Sequence, residues 1–365
     1  MVDHPQQAQI TRLLINGYKS IELCDLPLSG LNVLVGANGT GKSNLIGFLC
    51  LIKRVLEQRL QEAIGRAGGP DALLHFGRKK TEALKGEVFF GNNSYKFSLE
   101  PTQDNRMMFS RECLWCNMIG DSQAQSGHFE SYSLSNKNRS DVYDHVIPAM
   151  QMWRLYHFND TSAFATVKQL HNINDNQHLR GDARNLAAFL YRLKIQHESS
   201  YRRIVKTIQL VVPFFGDFCL RPTIANPEKI QLEWTETGQD EPFTASALSD
   251  GTLRFICLAT VFLQPKDLMP STLLIDEPEL GLTPYAITVL GALMRSASLE
   301  QQLIISTQSV ELVNEFEPKD LIIVDKIAGA SQFKRLDAAS LTGWLEEYSL
   351  GELWKKNVLG GRLHR

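Results

Sequence analysis

The stretch that decides the fold is LNVLVGANGTGKSNLIGFLCLI, Leu31 to Ile52, where an apolar run meets a glycine-rich loop and then helical spacing. LNVLV has the composition of a short buried strand, and Leu45, Phe48, Leu49 and Ile52 recur at the spacing of one helix face. Between them, GANGTGKS (36–43) fits G-x-x-x-x-G-K-[ST] in full. The backbone N–H groups of such a loop converge on a β-phosphate, helped by the N-terminal end of the following helix. In this pattern Lys42 reaches the β- and γ-phosphates and the Ser43 hydroxyl ligates Mg²⁺.

A Mg-nucleotide needs carboxylates, and LLIDEPELG (273–281) carries them. Four apolar residues read as a strand buried on both faces of a parallel sheet, ending in Asp276 and Glu277 at the edge where such sheets bind ligands. Asp276 is placed to hold Mg²⁺ through water, and Glu277 to polarise the water that attacks the γ-phosphate. Pro278 turns the chain away, and Glu279 reads as part of the following loop.

At 365 residues, 43% of them hydrophobic, the chain has room for one large domain or two modest ones. A net charge of −2 argues against a generally basic nucleic-acid coat and leaves a local basic patch open. The six cysteines sit mostly in apolar contexts, and the start, MVDHPQQAQI, lacks a charged segment followed by an apolar one, so a reduced cytoplasmic protein is expected. Apolar runs such as FICLATVFL (255–263) fall far short of the roughly 20 residues a membrane span needs. CLWC (113–116) has no second Cys or His pair at zinc-finger spacing, and the nine histidines form no metal pattern.

ITRLLINGYKSIELCDLPL reads as a hairpin turning at Asn16-Gly17, and ALKGEVFFGNNSYKFSLE as an antiparallel pair turning at residues 91–93. Residues 117–145 are polar and look like an exposed excursion. Helical periodicity from about 164 to 218, clearest in NLAAFLYRLKIQ, suggests a helical insert. LLID, LIIST (303–307) and LIIVD (321–325), separated by helix-length segments, read as a parallel α/β sheet with right-handed crossovers. The expected divisions are a first ATPase lobe (9–163) with the loop and antiparallel strands, a helical insert (164–240), the rest of the ATPase core (241–335) and a helical tail (336–365).

A third element, ALSDGTLRFICLATVFL (247–263), places Ser249, Asp250 and Gly251 at a helix N-terminus, an anion site in miniature. With the loop and the acidic strand end, it resembles the signature of ABC-type ATPases, which reads LSGGQ or LSDGT. More narrowly, NGYKSI, GANGTGKSN, DALLHFGRK, LYHFNDTS, NLAAFLYRL, LSDGTLRFI, IDEPELGL, STQS and YSLGELWKKNVLGGR resemble, in this order, the short AAA family ATPases of the SMC-, RecF- and OLD-like branch.

The resemblance implies an α/β P-loop NTPase fold of ABC type, with a mixed sheet, an antiparallel N-terminal subdomain and a helical insert. It implies ATP and Mg²⁺ as cofactors and a head-to-tail homodimer. In that dimer Gly36, Asn38, Gly39, Thr40, Gly41, Lys42, Ser43 and Asn44 of one subunit and Ser249, Asp250 and Gly251 of the other clamp one ATP. Ser43 and Asp276 fall at the metal, Glu277 at the general base, ELGLTP (279–284) at the D-loop facing the opposing subunit, and Gln308 at the position of the switch histidine. An amide there can donate and accept hydrogen bonds but cannot become a cation, so turnover should be slow. Thr283 stands where close relatives often have histidine. No glutamine marks the Q-loop; LYHFNDTS holds its place, with His157 and Asp160 as weak candidates beside a structural reading of His157. Tyr18, Lys19 and Ser20 resemble the segment that approaches adenosine or phosphates.

Two functions follow from the resemblance. One is control of a partner effector, as in bacterial antiphage and toxin systems; OLD proteins carry a TOPRIM nuclease after the ATPase, whereas only about forty residues follow LIIVDK here, so a TOPRIM-like nuclease or toxin would act in trans. The other is a DNA-binding, ATP-gated clamp for repair or recombination, with Arg192, Lys194, Arg202, Arg203 and Lys206 as a candidate basic stripe and a solvated helix face as the alternative. A module in which ATP only glues the dimer is permitted by Gln308 and opposed by the intact Lys42, Ser43, Asp276 and Glu277.

Overall fold

The structure is a computed structural model that describes residues 9–124, 126–135, 141–158 and 160–361. The chain opens with β1 (Arg12–Tyr18), β2 (Ile21–Pro27) and β3 (Leu31–Val35), then α1 (Lys42–Leu56), α2 (Leu60–Ala67) and α3 (Pro70–Leu73). β4 (Leu84–Phe90), β5 (Asn93–Pro101), β6 (Met107–Cys116) and β7 (Gly120–Gln123) follow, then α4 (Tyr143–Gln151), β8 (Trp153–Tyr156) and the two-residue β9 (His171–Asn172). Next come α5 (Leu186–Gln196), α6 (Glu198–Val211), β10 (Phe215–Phe218), β11 (Lys229–Ile230), β12 (Glu233–Glu236), β13 (Phe243–Thr244) and α7 (Asp250–Leu263). The chain finishes with β14 (Thr272–Asp276), α8 (Pro284–Ala297), β15 (Gln302–Thr307), α9 (Val310–Val313), β16 (Leu321–Ile327), β17 (Ala330–Arg335), α10 (Thr342–Leu345) and α11 (Leu350–Lys355).

Two six-stranded sheets carry the architecture. One, in the order β2-β1-β4-β5-β6-β7, is antiparallel throughout; the other, β17-β16-β3-β15-β14-β8, is parallel except for β17 at its edge. The parallel strands read as continuous apolar runs because both faces are covered, and the two-residue period sorts each run between two cores. Leu34, Leu274, Ile304 and Ile322 face α1, α4 and the antiparallel sheet, whereas Val33, Val35, Leu273, Ile275, Leu303, Ile305, Leu321 and Ile323 face α7, α8 and the inserted helices. The four α1 residues predicted to share a face, Leu45, Phe48, Leu49 and Ile52, are buried between the sheets.

Three local expectations are corrected. The first hairpin exists, but Tyr18 pairs with Ile21, so its turn is Lys19-Ser20, and Asn16 lies within the ladder opposite Leu23. His75 explains the shift: its N–H group at Nδ1 donates to the Lys19 carbonyl at 2.7 Å and its backbone N–H to the Gly17 carbonyl at 3.0 Å, so packing fixes the turn against local Asn-Gly chemistry. Of the polar segment 117–145, residues 125 and 136–140 lie outside the described residues, and the rest is not simply exposed. Glu112, fully buried, accepts from Tyr95 Oη (2.7 Å), Ser131 Oγ, and the backbone N–H groups of Tyr132 and Ser133 (both 2.9 Å), which draws the backbone of 131–133 inward and buries Ser131 and Ser133 while Tyr132 stays exposed. In the region expected to be a helical insert, the helices are α5 and α6 alone; β10, β12 and β13 then form a small sheet around Trp234, Phe215 and Phe243. Among the described residues, no helix is long and apolar enough to cross a membrane.

Candidate functional site

The parallel register brings the predicted site residues to one edge. Asp276 lies level with Ser306 and Thr307 level with Val35, so the loop after β3, the acidic end of β14 and the segment after β15 leave the sheet together, where open α/β sheets bind ligands.

Lys42 begins α1 and is 4% exposed; its ammonium donates to the carbonyl oxygens of Gly36 (2.7 Å) and Ala37 (3.1 Å). Burial lowers its pKa, against the pull of Glu277, Asp276 and Glu279. A cation held short of full solvation among carbonyls and carboxylates suits a phosphate oxygen. Asn38, Gly39 and Ser43 are exposed at the loop surface, and Thr40 is buried with its hydroxyl on the Ala37 carbonyl (2.9 Å). Asn44 donates to Ser20 Oγ at 2.6 Å, and Ser20 Oγ is 2.6 Å from Ser331 Oγ. Ser331 donates to the Thr40 carbonyl (2.6 Å), and its backbone N–H to the Ser20 carbonyl (2.7 Å). Ser20 therefore lies against the loop, whereas Tyr18 is buried beside Phe48, and its hydroxyl pKa is raised by burial.

Asp276 accepts a hydrogen bond from Ser306 Oγ. Glu277 has φ +47, a conformation uncommon for a non-glycine residue, and its N–H bonds to the Ser306 carbonyl at 3.0 Å. Glu279, read from sequence as a loop residue, is the most deeply placed of the three carboxylates. One oxygen accepts from Thr307 Oγ1 (2.6 Å) and the N–H of Gln308 (3.1 Å), the other is buried without a partner, and burial raises its pKa. It joins the loop after β14 to the segment bearing Gln308, which is half-buried at the same edge.

Ser249 caps α7, accepting from Thr252 N (3.2 Å), and Ser249 and Asp250 are exposed. Gly251 packs so closely on the Gly281 carbonyl that no Cβ fits between them. One turn on, buried Arg254 donates to the Phe158 carbonyl (2.9 Å) and to the Leu280 carbonyl. Among the described residues, the hydrogen bonds of the Ser249 side chain stay within its own helix and do not reach residues 36–44. Thr283 caps α8 by accepting from Ala286 N (3.3 Å), an ordinary structural role.

His157 follows Tyr156, which pairs with Ile275, and its backbone N–H donates to the Gly181 carbonyl at 2.8 Å; partial burial of its ring lowers its pKa against the pull of Asp276, while much of the residue stays exposed. Asp160 instead caps its own turn through Ser162 N at 3.1 Å. Of the candidate basic stripe, Lys194 and Arg202 both face Asp217 (3.7 and 3.8 Å), whereas Arg192 binds the neutral Asn176 and Gln177 carbonyls and Arg203 the Ser200 hydroxyl, which leaves their charges in place. Sequence reasoning missed Arg254, Ser331 and the placement of Glu279. The adjacency of Arg254 to the signature and of Glu279 to Glu277 was visible; the Ser20–Ser331 contact joins the two ends of the chain and leaves no local signal.

A family model described as "AAA domain, putative AbiEii toxin, Type IV TA system" matches residues 31–314. No curated protein matches the chain in sequence. Among solved structures, the chain is similar to an SmcHead bound to the C-winged helix domain of ScpA, at 19% identity and a TM-score of 0.62 over 92% of this chain and 99% of that one. It is also similar to the Smc head domain with an extended coiled coil, bound to the C-terminal domain of ScpA, from Pyrococcus furiosus (18%, TM-score 0.58, 93% and 98% covered). A third match is the Smc head domain with a coiled coil and joint from Pyrococcus yayanosii (13%, 0.57, 93% and 99%). These likenesses establish the ABC-type P-loop fold. With 31–314 matched, the chain belongs to this AAA domain family, and its fold is that of the Smc heads.

Proposed function

We propose that the protein binds Mg-ATP between residues 36–43 of one subunit and Ser249–Gly251 of a second copy, hydrolyses it slowly, and uses the cycle to control an effector in trans, such as a TOPRIM-like nuclease or a toxin in bacterial antiphage defence. The observation that carries this reading is the gathering of Lys42, Asp276, Glu277 and Gln308 at one sheet edge while Ser249 and Asp250 stand exposed on another helix.

The residues fit ATP and Mg²⁺: a desolvated ammonium beside an exposed loop of backbone donors for phosphate, and a serine hydroxyl with a carboxylate for a hard cation. Bound Mg-ATP supplies the phosphoanhydride to be cleaved and the cation that neutralises its oxygens. Lys42 binds the terminal phosphates, and Ser43 with Asp276 holds the metal, Asp276 being fixed by Ser306. Glu277, in its strained conformation, takes the proton of the attacking water, and Gln308 orients that water as a neutral donor and acceptor. The effector part is supported by the toxin–antitoxin wording of the matched family and by the Smc heads solved with a partner domain. The pairing of Lys194 and Arg202 with Asp217 removes two of the five cations proposed for a DNA clamp.

Phosphate release by wild type, Glu277→Gln and Lys42→Ala, with identification of co-purifying material, tests the reading. Slow release in wild type, abolished in both variants, together with a bound second protein is expected. Equal rates in wild type and Glu277→Gln overturn the general base; retention of DNA alone replaces effector control with the clamp.

A further inference from the structure

The N–H of Ala37, second residue of the phosphate loop, donates to the carbonyl oxygen of Gly361 at 2.6 Å. Gly361 in turn donates its own N–H to Asp325 Oδ1 at 2.7 Å. Gly360 and Gly361 sit at φ +83 and +81, a region that favours glycine. A Cβ on Gly360 would stand 2.8 Å from Asp325 Oδ2, and one on Gly361 3.3 Å from each of Val35 O, Ile323 and the buried Trp354 ring. The chain is thus folded tightly around the Asp325 carboxylate. Gly361 stands between that carboxylate and the loop, bonded to both, and the strand bearing Asp325 packs on the loop start, where the carbonyl of Val324 lies 2.5 Å from where a Cβ on Gly36 would be.

At its other end the same segment is fastened beside Gln308. Gly351 of α11 donates its N–H to Asn314 Oδ1 at 2.7 Å, and a Cβ there would come 2.5 Å from the Val310 carbonyl. Val310 opens α9, whose cap is Ser309, the residue after Gln308.

We infer that residues 350–361 form a strap that positions the nucleotide loop and joins it to the helix following Gln308. Gly361 and Asp325 are positioning residues: the first fixes Ala37, and the pair keeps a carboxylate hydrogen-bonded one residue away from a loop built for phosphate. Released from the strap, Asp325 leaves an unmasked negative charge beside the anion site and Ala37 loses its acceptor; both changes weaken ATP binding. A charge-neutral residue at 325 removes the first effect.

This inference rests on the reading that residues 36–43 hold ATP, which the wild-type protein tests separately: no binding by wild type ends that reading and leaves the strap without an object. The experiment titrates full-length wild type, Gly361→Pro, and Gly361→Pro with Asp325→Asn with a fluorescent ATP analogue and Mg²⁺, and records melting without nucleotide. Proline removes the N–H that Asp325 accepts and cannot adopt the observed φ. The expected result is about a tenfold rise in Kd for Gly361→Pro with a small change in melting, most of it recovered in the double variant. Should Gly361→Pro fail to fold, Gly361→Ala, strained at the same φ, is the second variant and should weaken binding in the same direction with the same recovery by Asp325→Asn. Wild-type affinity in the single variants, or an equal loss with and without Asp325→Asn, overturns the inference.

Discussion

Thr307 donates its hydroxyl to the Glu279 carboxylate across 2.6 Å, so the loop after β14 and the end of β15, just before Gln308, share one buried bond. Burial holds the Glu279 carboxyl above the usual glutamate range. A folded pKa above the unfolded one gives stability that is full below the unfolded value and lost as pH rises through the folded value. Glu279→Gln keeps an acceptor for Thr307 and Gln308 N–H without the charge. The wild type should therefore lose stability relative to Glu279→Gln as pH rises through and above the usual glutamate range, read as the difference in thermal unfolding midpoints. Glu279→Ala leaves both donors unpaired and should cost about 1–3 kcal/mol.

Arg254 should couple the signature helix to both neighbouring loops, because its guanidinium holds the Phe158 and Leu280 carbonyls. Arg254→Ala is expected to destabilise the fold by about 2–4 kcal/mol, by leaving the buried Phe158 carbonyl and the part-buried Leu280 carbonyl without their donor and by opening a cavity. Denaturant unfolding of the variant checks this; a loss below about 0.5 kcal/mol would contradict it.

Gly251 touches the Gly281 backbone, and a methyl group there must push the signature away from the D-loop. Gly251→Ala should bind ATP as wild type does, since residues 36–43 are untouched, yet fail to associate when ATP is added. Titration with a labelled nucleotide and light scattering separate the two effects.

Ser331 sits at the crossing of three segments, 1% exposed, bonded to Ser20 and to the Thr40 carbonyl. Ser331→Ala removes these side-chain bonds and should cost about 1–2 kcal/mol of stability while weakening ATP binding several-fold, because the loop loses a support. Calorimetry of folding and of nucleotide binding on one preparation measures both.

Much of this was legible in the chain because the decisive signals are local. Residues 31–52 contain strand, loop and helix in one run, and the acidic pair closes its own strand. Alternation within LNVLV and LLID could not say which residues face which core; that is settled by two layers of neighbours distant in sequence. The turn at Lys19-Ser20 escaped prediction because His75 and the bonds it makes, not Asn16-Gly17, set it. Ser131 and Ser133 looked exposed because their burial depends on a single carboxylate, Glu112, on β6. The helical pattern was read too widely because the apolar residues of β10 and β12 pack as a small aromatic sheet, and their spacing over four residues fits either structure.

The central claim is that one ATP is held between two copies of the chain, and the most direct measurement is the solution mass of Glu277→Gln with and without Mg-ATP. A monomer that becomes a dimer on adding Mg-ATP, and stays monomeric when Lys42→Ala is also present, is the predicted result. A mass indifferent to Mg-ATP, in protein shown to bind it, would contradict the shared site.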